Sequence, residues 1–461
     1  QAMNIGIFHY QVGRTDGVSL EIAKWQRVLE EMGHSVYMAA GDVDATPATQ
    51  IDELYHHRDD VERLYTNTFE ELSGYPDEKV YRAELLRLAD AIERHLHKFC
   101  DEHHIDFLIP QNIWSVGVNP SASIALARIM LERRLPALAH NHDFYWERED
   151  RVSLTCATAI ELADLYLPPR NPLARHVVIN TLAQRALLAR KGISSTVVPN
   201  VFDFHGHDWT IDDWNRDLRQ RIGLRENDVM VLQATRIVPR KGIELAADFV
   251  AALDTPARRA ELQRNGLYNG LPFRADNRIV LVIAGYARDD LTGTYLARLK
   301  QKIERAGIDA LFIDDIIDGH RHLRAGEKIY SLWDTYVHAD LVTYPSLGEG
   351  WGNQFLEAVR ARLPLLVFEY PVYQSDIKPR GFRVMSLGGE VTSWDDLGLA
   401  HVPQPLIDAA ADEAIALLTD HALRKEVVEH NHDIGSRYFS MHALRGYLST
   451  LVPAAKTGTA E

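Results

Sequence analysis

Two carboxylates lie close to a glycine-containing turn in the second half of the sequence. Glu349 and Glu357 belong to the segment 345–358, which follows a short apolar run at 341–344 and continues with the apolar spacing of a helix. Glu349 is therefore expected just outside a helix N-terminus, and Glu357 about one turn inside it. The free N–H groups of such an end attract phosphate, and carboxylates accept hydrogen bonds from sugar hydroxyls. This combination suits a sugar attached to a phosphate, although the two carboxylates could also serve only to stabilise the helix dipole.

Two basic residues follow another predicted strand. The segment 233–242 places Arg236 and Lys241 after the strand at 229–233 and before a helix. Two cations at this position could neutralise a diphosphate leaving group. A solvated basic loop is the alternative, but a position after the carboxyl end of a strand favours ligand binding.

The loop after the first predicted strand contains Gly13 and Gly17 but does not have the G-x-G-x-x-G spacing of a dinucleotide-binding loop. A loop at this position faces the ligand side of a parallel sheet. Gly17, at the start of the following helix, would let a phosphate or sugar approach the backbone. A glycine needed only for the turn explains the same residue equally well.

Two histidines, His140 and His142, lie two residues apart after the strand that begins at Ala137. Such a pair could suggest a metal site, but no third ligand is evident, and a chain with 21 histidines contains such pairs by chance. A histidine that hydrogen-bonds a sugar hydroxyl or carbonyl is the favoured functional interpretation.

The composition bounds the class of protein and its partners. A chain of 461 residues is too long for one ordinary core, so two domains are expected. Apolar residues make up 46% and charged residues 25%, as is normal for a globular protein. The formal net charge of -15 argues against nucleic acid as the main partner and weakens the case for docking on an anionic membrane.

Localisation signals are not evident in the sequence. No apolar run is long enough to span a bilayer, and Gln1-Ala2 before Met3 resembles an expression remnant and not a secretory signal. The two cysteines, Cys100 and Cys156, have no metal spacing around them. Reduced thiols in a cytoplasmic protein are the simplest explanation.

Strand-like and helix-like segments alternate along the chain, which predicts parallel sheets with crossover helices. The first βαβ unit has a strand at 5–10, a helix with its apolar stripe at 18–32 and a strand at 35–40. The further predicted strands are 105–110, 137–139, 165–167 and 196–198 in the first half, and 229–233, 279–284, 310–313, 341–344 and 365–368 in the second.

Three stretches lie outside this alternation. The polar and acidic stretch 46–81 is predicted to be a helical insertion. The turn-rich segment 199–207 is a candidate hinge between two domains. The tail after Pro453 is small and polar and is expected to be disordered.

Together, these residues resemble the retaining GT-B glycosyltransferases of family 4. The most specific part of the resemblance is 229–368. It begins with Arg-x4-Lys-Gly, which is followed by Ile283-Ala284-Gly285 and by the stretch from Tyr330 to Asp340. The motif Pro-Ser-x2-Glu-Gly-Trp-Gly-x4-Glu-Ala comes next, and Pro364-Leu365-Leu366-Val367 ends the pattern. The resemblance covers nearly the whole chain. It is weaker in the first domain, where acceptors bind and families diverge.

The resemblance implies an α/β fold of the GT-B type, with two Rossmann-like domains whose parallel sheets face a central cleft. The N-terminal acceptor domain would comprise residues 1–200, and the C-terminal nucleotide-sugar domain residues 208–436. Residues 437–452, which begin with Arg437-Tyr438-Phe439-Ser440, would form a C-terminal helix that crosses back to the N-terminal domain.

The same resemblance implies a role for each matching residue. Glu357 would bind the nucleotide ribose, and Glu349 the hydroxyls of the donor sugar. His142 would contact the donor sugar, and it is chosen over His140 because it ends the strand-to-loop pattern and precedes Asp143. Arg236 and Lys241 would bind the diphosphate, which the backbone of Gly17 would also contact.

The predicted catalytic set is Glu349, His142, Arg236 and Lys241. The predicted donor site contains Gly17, Arg236, Lys241, Glu349, Gly350, Trp351, Gly352, Asn353 and Glu357. The predicted acceptor-binding residues are Asn112, Tyr145 and Arg14.

Some segments depart from the family pattern. Trp351 stands where phenylalanine is usual, and Arg360-Ala361-Arg362-Leu363 stands where a small residue and a glycine are common. The segment 368–376 differs from the usual sequence and is expected to reshape the sugar pocket. The segment 144–148 is equally distinctive and resembles members that glycosylate small organic acids, such as those that form glyceryl glycosides.

The resemblance therefore predicts an enzyme that transfers a hexose, glucose or mannose, to a small soluble acceptor with retention at the anomeric carbon. The co-substrate would be a nucleotide diphosphate sugar, namely a GDP-, UDP- or ADP-hexose, and no metal or other cofactor is expected. One alternative is a glycoside hydrolase or phosphorylase that uses Glu349 and Glu357 as a carboxylate pair. The other is a non-catalytic nucleotide-sugar-binding protein.

Overall fold

The computed structural model describes residues 1–148, 150–290 and 292–453, and the chain divides into two compact units. The first unit comprises residues 1–201 together with the chain from Met441 onward, and the second unit comprises residues 202–440. The domain limits expected from the sequence stay predictions. The tail after Pro453, for which disorder is expected, lies outside the described residues.

A seven-stranded sheet forms the centre of the first unit. Its strands are β1 (Asn4–Val12), β2 (Ser35–Val43), β3 (Thr49–Gln50), β4 (Phe107–Pro110), β5 (Ala137–Asn141), β6 (Ala174–Val178) and β7 (Thr196–Val197). The strand order is β3-β2-β1-β4-β5-β6-β7, and every pair is parallel.

Helices cover this sheet, and several begin at a residue that caps them. They are α1 (Gly17–Glu31), α2 (Asp59–Phe69), α3 (Glu78–His103), α4 (Pro120–Arg133), α5 (Ala157–Tyr166) and α6 (Thr181–Lys191). The side chain of Asp16 accepts a hydrogen bond from the Ser19 amide at the start of α1, and Asn180 caps α6 in the same way. Fully buried Trp25 and Trp114 belong to two separate apolar clusters of this unit.

The second unit repeats the same architecture around a six-stranded parallel sheet. Its strands in chain order are β8 (Val229–Gln233), β9 (Ile279–Ile283), β10 (Asp309–Phe312), β11 (Ile317–Asp318), β12 (His322–Arg324), β13 (Glu327–Ser331), β14 (Leu341–Tyr344), β15 (Leu365–Val367), β16 (Met385–Ser386), β17 (Ser393–Trp394) and β18 (Ala400–His401). The main sheet has the order β10-β9-β8-β14-β15-β16, and β11–β13 and β17–β18 form two small sheets.

The helices of the second unit are α7 (Leu218–Arg221), α8 (Ile243–Leu253), α9 (Pro256–Asn265), α10 (Thr294–Ala306), α11 (Leu332–Tyr336), α12 (Asn353–Arg360), α13 (Gln404–Thr419) and α14 (His421–Phe439). The chain then enters α15 (Met441–Ser449), which belongs to the first unit and buries Leu444 and Leu448 in the same apolar cluster as Trp25. None of the helices in the described part of the chain is long and apolar enough to cross a membrane.

The expected α/β class with parallel sheets in two Rossmann-like units is confirmed. The strand predicted at 165–167 is wrong, because Leu165 and Tyr166 end α5, Leu167 is its C-cap residue, and the next strand is β6. Leu162 and Ala163 are buried while Leu165 is exposed, which is helical spacing, and an apolar run of three residues cannot distinguish the two element types. The predicted helical insertion at 46–81 contains β3 as well as α2.

Candidate active site

The candidate donor site of the second unit is built from two loops at the carboxyl ends of neighbouring strands. Strand β8 leads into residues 234–242, here called the Lys241 loop, and β14 leads into residues 345–352, here called the Glu349 turn. Because β8 and β14 are adjacent and parallel, both segments leave the same edge of the sheet. This is the edge at which open α/β sheets bind their ligands.

A glycine allows the two segments to pack closely. Gly242 has φ +58°, and a Cβ atom at this position would lie 2.4 Å from the carbonyl oxygen of Pro345. The amide of Leu347 also donates to the carbonyl of Arg240 at 2.8 Å. The backbone therefore fixes the Lys241 loop against the Glu349 turn before any side chain contributes.

Glu349 is shared between two cations of the Lys241 loop. The ammonium of Lys241 bonds Oε1 of Glu349, and Nη1 of Arg240 donates to Oε2 at 2.6 Å. Burial alone would raise the pKa of Glu349, but the charges of Lys241 and Arg240 outweigh it and hold the pKa below its usual value. Glu349 is therefore an ionised carboxylate at neutral pH, suited to accept hydrogen bonds and not to act as an acid.

Burial lowers the pKa of the Lys241 ammonium, which is the cation of this pair. The charge of Glu349 raises this pKa, whereas the charges of Arg240 and Arg236 lower it further. Arg236 is half-exposed and bonds Asp289 at 2.5 Å, so an incoming anion must compete with that carboxylate.

Glu357 lies inside α12, and its carboxylate has a buried partner. The hydroxyl of Tyr336 donates to Oε2 of Glu357 at 2.7 Å. The Tyr336 ring stacks on Trp209 with ring centres 5.6 Å apart. This arrangement fixes the position of the carboxylate, and its predicted role in binding the ribose stays a prediction.

The helix that carries Glu357 begins without a side-chain cap. Its N-cap is Gly352, and Asn353 is its first residue. In the turn before it, Gly350 is exposed, whereas Trp351 is buried against Phe439. An end of this kind presents N–H groups that can bind phosphate. The structure thus brings together Lys241, Glu349 and the residues 350–357.

In the first unit, His142 lies at the carboxyl end of the sheet beside polar groups that directly follow β4. Its Nε2 is 2.8 Å from Oε1 of Gln111, and its amide donates to Oδ1 of Asn112 at 2.7 Å. Burial, with a smaller contribution from the neighbouring His9, lowers the pKa of the His142 imidazole to about 3. The ring is therefore neutral at physiological pH and able to exchange hydrogen bonds with a hydroxyl.

The two neighbouring histidines, His140 and His142, have different surroundings. His140 is 1% exposed and stacks on Trp25 with ring centres 4.0 Å apart, whereas His142 is half-buried. Within the described part of the chain, neither belongs to a group of three potential metal ligands. The group that has such spacing is Glu93, His97 and Glu132 on α3 and α4, and Arg128 and Arg133 already bond its side chains.

The three predicted acceptor residues occupy different environments. Asn112 has the left-handed φ of +57°, which is unusual outside glycine, and its side-chain amide donates to Asp143 at 2.9 Å. Tyr145 is half-buried near Asp143 in a short 3₁₀ turn, whereas Arg14 is exposed and bonds Asp42 at 2.7 Å. The predicted donor residue Gly17 is exposed at the first position of α1. All four roles stay predictions.

Several partners of the candidate residues were not identified from the sequence. They are Arg240, which shares Glu349; Asp289, which bonds Arg236; Tyr336, which fixes Glu357; and Gln111, which contacts His142. Only Arg240 gave a signal, because it precedes Lys241 in the same basic loop. The other three come from separate segments, and nothing in the sequence indicates that these side chains contact their partners.

Comparisons with known proteins agree with this architecture. The family described as glycosyl transferases group 1 matches residues 215–433. The chain is 37% identical over 447 residues to a protein of Petrotoga mobilis named mannosylglucosylglycerate synthase, covering 96% of this chain and all of the relative. It is also 37% identical over 448 residues to the protein of that name from Thermotoga maritima, covering 97% of this chain and 99% of the relative.

Solved structures share the fold at low sequence identity. The Anabaena protein HepE, in complex with UDP and glucose, has a TM-score of 0.59 at 14% identity, with 98% of this chain and 100% of that chain covered. Sucrose-phosphate synthase from Thermosynechococcus elongatus has a TM-score of 0.58 at 13% identity, with 97% and 98% covered. These similarities establish the GT-B fold of the chain.

Proposed function

This chain belongs to the glycosyl transferases group 1 family, and we propose that it transfers mannose, with retention at the anomeric carbon, from a nucleotide diphosphate sugar to glucosylglycerate. The members of this family are glycosyltransferases. The two relatives that match nearly the whole chain are named mannosylglucosylglycerate synthase, and this name supports the sugar and the acceptor. GDP, UDP and ADP all remain candidates for the nucleotide.

The observation that carries the proposal is the sharing of Glu349 between Lys241 and Arg240, next to the uncapped start of α12. Two cations and one carboxylate leave a net positive charge, which suits a diphosphate. In the proposed complex the diphosphate binds Lys241, Arg236 and the amides at the start of α12. Glu349, less tightly bonded to Lys241, then accepts hydrogen bonds from the hydroxyls of the donor sugar.

The proposed transfer needs no enzyme-bound sugar. The bond between the anomeric carbon and the diphosphate oxygen breaks, and a bond to the acceptor hydroxyl oxygen forms on the same face. The acceptor proton passes to the departing diphosphate. The protein contributes charge neutralisation and orientation, which are large terms in catalysis. Lys241 and Arg236 supply the positive charge that a divalent metal supplies in other enzymes.

The carboxylate-pair hydrolase is the weaker proposal. A hydrolase of that class needs one carboxyl group with a raised pKa to protonate the leaving oxygen. Glu349 has the opposite shift and bonds two cations. A hydrolase would also have no use for Arg236 and Lys241 at the strand end.

The proposed acceptor carries a carboxylate and sugar hydroxyls, as the resemblance of 144–148 to enzymes for small organic acids also suggests. We assign acceptor contacts to Asn112, Tyr145 and Arg14, and a sugar contact to His142. We also propose a cytoplasmic location, since Cys100 and Cys156 are both free thiols.

Thermal unfolding with GDP, UDP, ADP and free mannose tests the donor site first. One nucleoside diphosphate should raise the unfolding temperature, and free mannose should not. Mannose linked to the nucleoside diphosphate that binds is then supplied as the donor, together with glucosylglycerate. Proton NMR of the product should show the same anomeric configuration as the donor. Inverted product would contradict retention. Release of free mannose at the same rate without acceptor would indicate a hydrolase, and donor binding without any turnover would indicate a binding protein.

A further inference from the structure

The segment 368–376, which departs from the family pattern, contains a buried tyrosine in contact with the Glu349 turn. Tyr370 is fully buried, and its hydroxyl donates to the carbonyl of Trp351 at 2.5 Å. Trp351 lies between Glu349 and the first residue of α12, Asn353. The bond therefore holds the backbone at the point where the Glu349 turn becomes the helix that carries Glu357.

The same hydroxyl leaves no space for a side chain on the next residue. A Cβ atom at Gly352 would lie 2.6 Å from the Tyr370 oxygen, whereas its next neighbours, in Ile377 and Phe355, would be 3.4 Å away. Gly352 has φ 175°, which is outside the left-handed region that favours glycine. Contact with this one oxygen, and not backbone conformation, is therefore what requires glycine at 352.

Tyr370 is itself held in place. The preceding Glu369 bonds Lys378 at 2.5 Å and accepts from the hydroxyl of Ser386 at 2.6 Å. The Tyr370 ring packs against Tyr344 and Tyr373, with ring centres 6.1 and 6.0 Å away. Burial, together with the charge of Glu349, raises the pKa of the Tyr370 phenol well above its usual value, so the hydroxyl keeps its proton and remains a donor.

We propose that Tyr370 is a positioning residue for the transfer reaction: its hydroxyl fixes the Trp351 carbonyl, sets the position of Glu349 relative to α12, and makes glycine necessary at 352. The inference rests on the proposed function, because it assigns Tyr370 a role in the same donor site. Tyr370 does not need to touch the substrate. It acts through the backbone that joins the two glutamates.

A double-mutant cycle tests this role, with Tyr370→Phe, Gly352→Ala and the combined variant compared with the wild type. Tyr370→Phe keeps the ring and removes the bond, so kcat should fall by about tenfold to a hundredfold, as expected when a reacting group moves by a fraction of an ångström. Gly352→Ala should lose more activity, because its methyl group displaces the Tyr370 hydroxyl and the turn. The combined variant should recover to the level of Tyr370→Phe, since the clashing oxygen is gone.

The matched control is Tyr81→Phe. Tyr81 is fully buried in α3 of the first unit, and its hydroxyl lies 2.5 Å from the hydroxyl of Thr68. Loss of this buried hydrogen bond should lower the unfolding temperature without a fall in kcat. Equal kcat values in Tyr370→Phe and Tyr81→Phe, with a comparable loss of stability, would reduce Tyr370 to a packing residue and overturn the proposal.

A second measurement separates this inference from the proposed function. The rise in unfolding temperature caused by GDP, UDP or ADP should be small in Gly352→Ala and larger again in the combined variant.

The possible outcomes distinguish the two proposals. If the wild type binds a diphosphate but transfers no mannose, the proposed function fails, while the coupling between Tyr370 and residue 352 in diphosphate binding still decides the role of Tyr370. If the losses of the two single variants simply multiply in both measurements, the predicted contact between Tyr370 and residue 352 is wrong. If Gly352→Ala alone does not fold, recovery of folding in the combined variant supports the contact, and failure of both contradicts it.

Discussion

Lys241 and Glu349 form a buried ion pair that joins the loop after β8 to the turn after β14. The two side chains are 3% and 11% exposed. Water screens such a pair weakly, and the second carboxylate oxygen is bonded by Arg240. The pair therefore serves two purposes at once, because it fixes the geometry of the two segments and keeps a cation where a diphosphate is expected.

The Lys241→Ala variant should bind the donor more weakly and transfer more slowly. It removes positive charge from the leaving group, and the loss of rate should be about tenfold to a thousandfold. The variant is also expected to be less stable, because Glu349 keeps only one of its two cationic partners. Initial rates over a range of donor concentrations give kcat and KM.

Lys302→Ala is the matched control for this prediction. Lys302 forms an ion pair with Asp248 at 2.7 Å, and the two side chains are 11% and 18% exposed, so the pair is nearly as buried as that of Lys241. Its loss should reduce stability and leave kcat close to the wild-type value. A folded Lys241→Ala protein with unchanged turnover would contradict the role of Lys241.

Activity should persist in an excess of EDTA. The proposed site neutralises the diphosphate with Lys241 and Arg236, so chelation of divalent ions removes nothing that the reaction needs. The rate of transfer is measured before and after dialysis against the chelator. Complete loss of activity that magnesium or manganese restores would mean that the mechanism depends on a metal.

The main features of the second unit could be predicted because they follow from local patterns. The strands at 229–233 and 341–344 are short, mainly apolar segments followed by turn residues, and both are found at those positions. Parallel strands place their carboxyl ends at one edge of a sheet, so the basic loop and the two glutamates were expected on the ligand side. What the pattern could not give is the pairing of β8 with β14, which depends on the packing of the whole sheet.

The individual side-chain contacts of the site could not be predicted from the sequence for the same reason. Asp289 lies in an irregular loop after β9, 53 residues from Arg236, and no motif relates the two. Tyr336 and Glu357 belong to different helices, and Tyr370 has no recognisable motif around it. Short apolar segments were also ambiguous, as the strand wrongly predicted at 165–167 shows. Buried side chains acquire their partners through three-dimensional packing, and these pairings produce no periodic pattern in the sequence.

Acid should destabilise the protein partly through His176. This residue is 5% exposed, and burial lowers the pKa of its imidazole to about 4 from the usual 6.5. The folded state therefore binds a proton less readily than the unfolded state. Its contribution to stability is fully present above about pH 6.5 and is lost as the pH falls towards about 4. Between these values it changes the free energy of unfolding by about 1.4 kcal/mol per pH unit.

Replacement of His176 by glutamine should make the unfolding temperature less sensitive to acid over this range. The exposed His421, replaced in the same way, provides the baseline for loss of a histidine at the surface. Unfolding is followed by circular dichroism across the pH range in both variants and the wild type. The same acid sensitivity in all three proteins would show that His176 does not titrate differently in the folded state.

The two glutamates of the donor site should fail in different ways when each is replaced by glutamine, which keeps the shape and removes the charge. Glu357, fixed by Tyr336, is assigned to the ribose, a part of the donor that does not react. Its loss should mainly weaken ground-state binding and raise the donor KM. A second variant, Tyr336→Phe, leaves the carboxylate in place without its hydrogen bond and should produce a smaller change in the same direction.

Glu349→Gln should lower kcat more than it raises KM. Glu349 is assigned to the donor sugar, which becomes cationic in the transition state, so the attraction of a carboxylate grows as the bond to the diphosphate breaks. The same substitution leaves Lys241 and Arg240 without their shared carboxylate, so the free nucleoside diphosphate should bind at least as tightly as it does to the wild type. Calorimetric titration with the diphosphate and steady-state rates with the donor measure the two effects separately, after circular dichroism has verified folding.

If Glu357→Gln changed only kcat and Glu349→Gln only KM, the two assignments would be reversed. Wild-type constants in both variants would leave the pair as helix-end charges with no role in transfer.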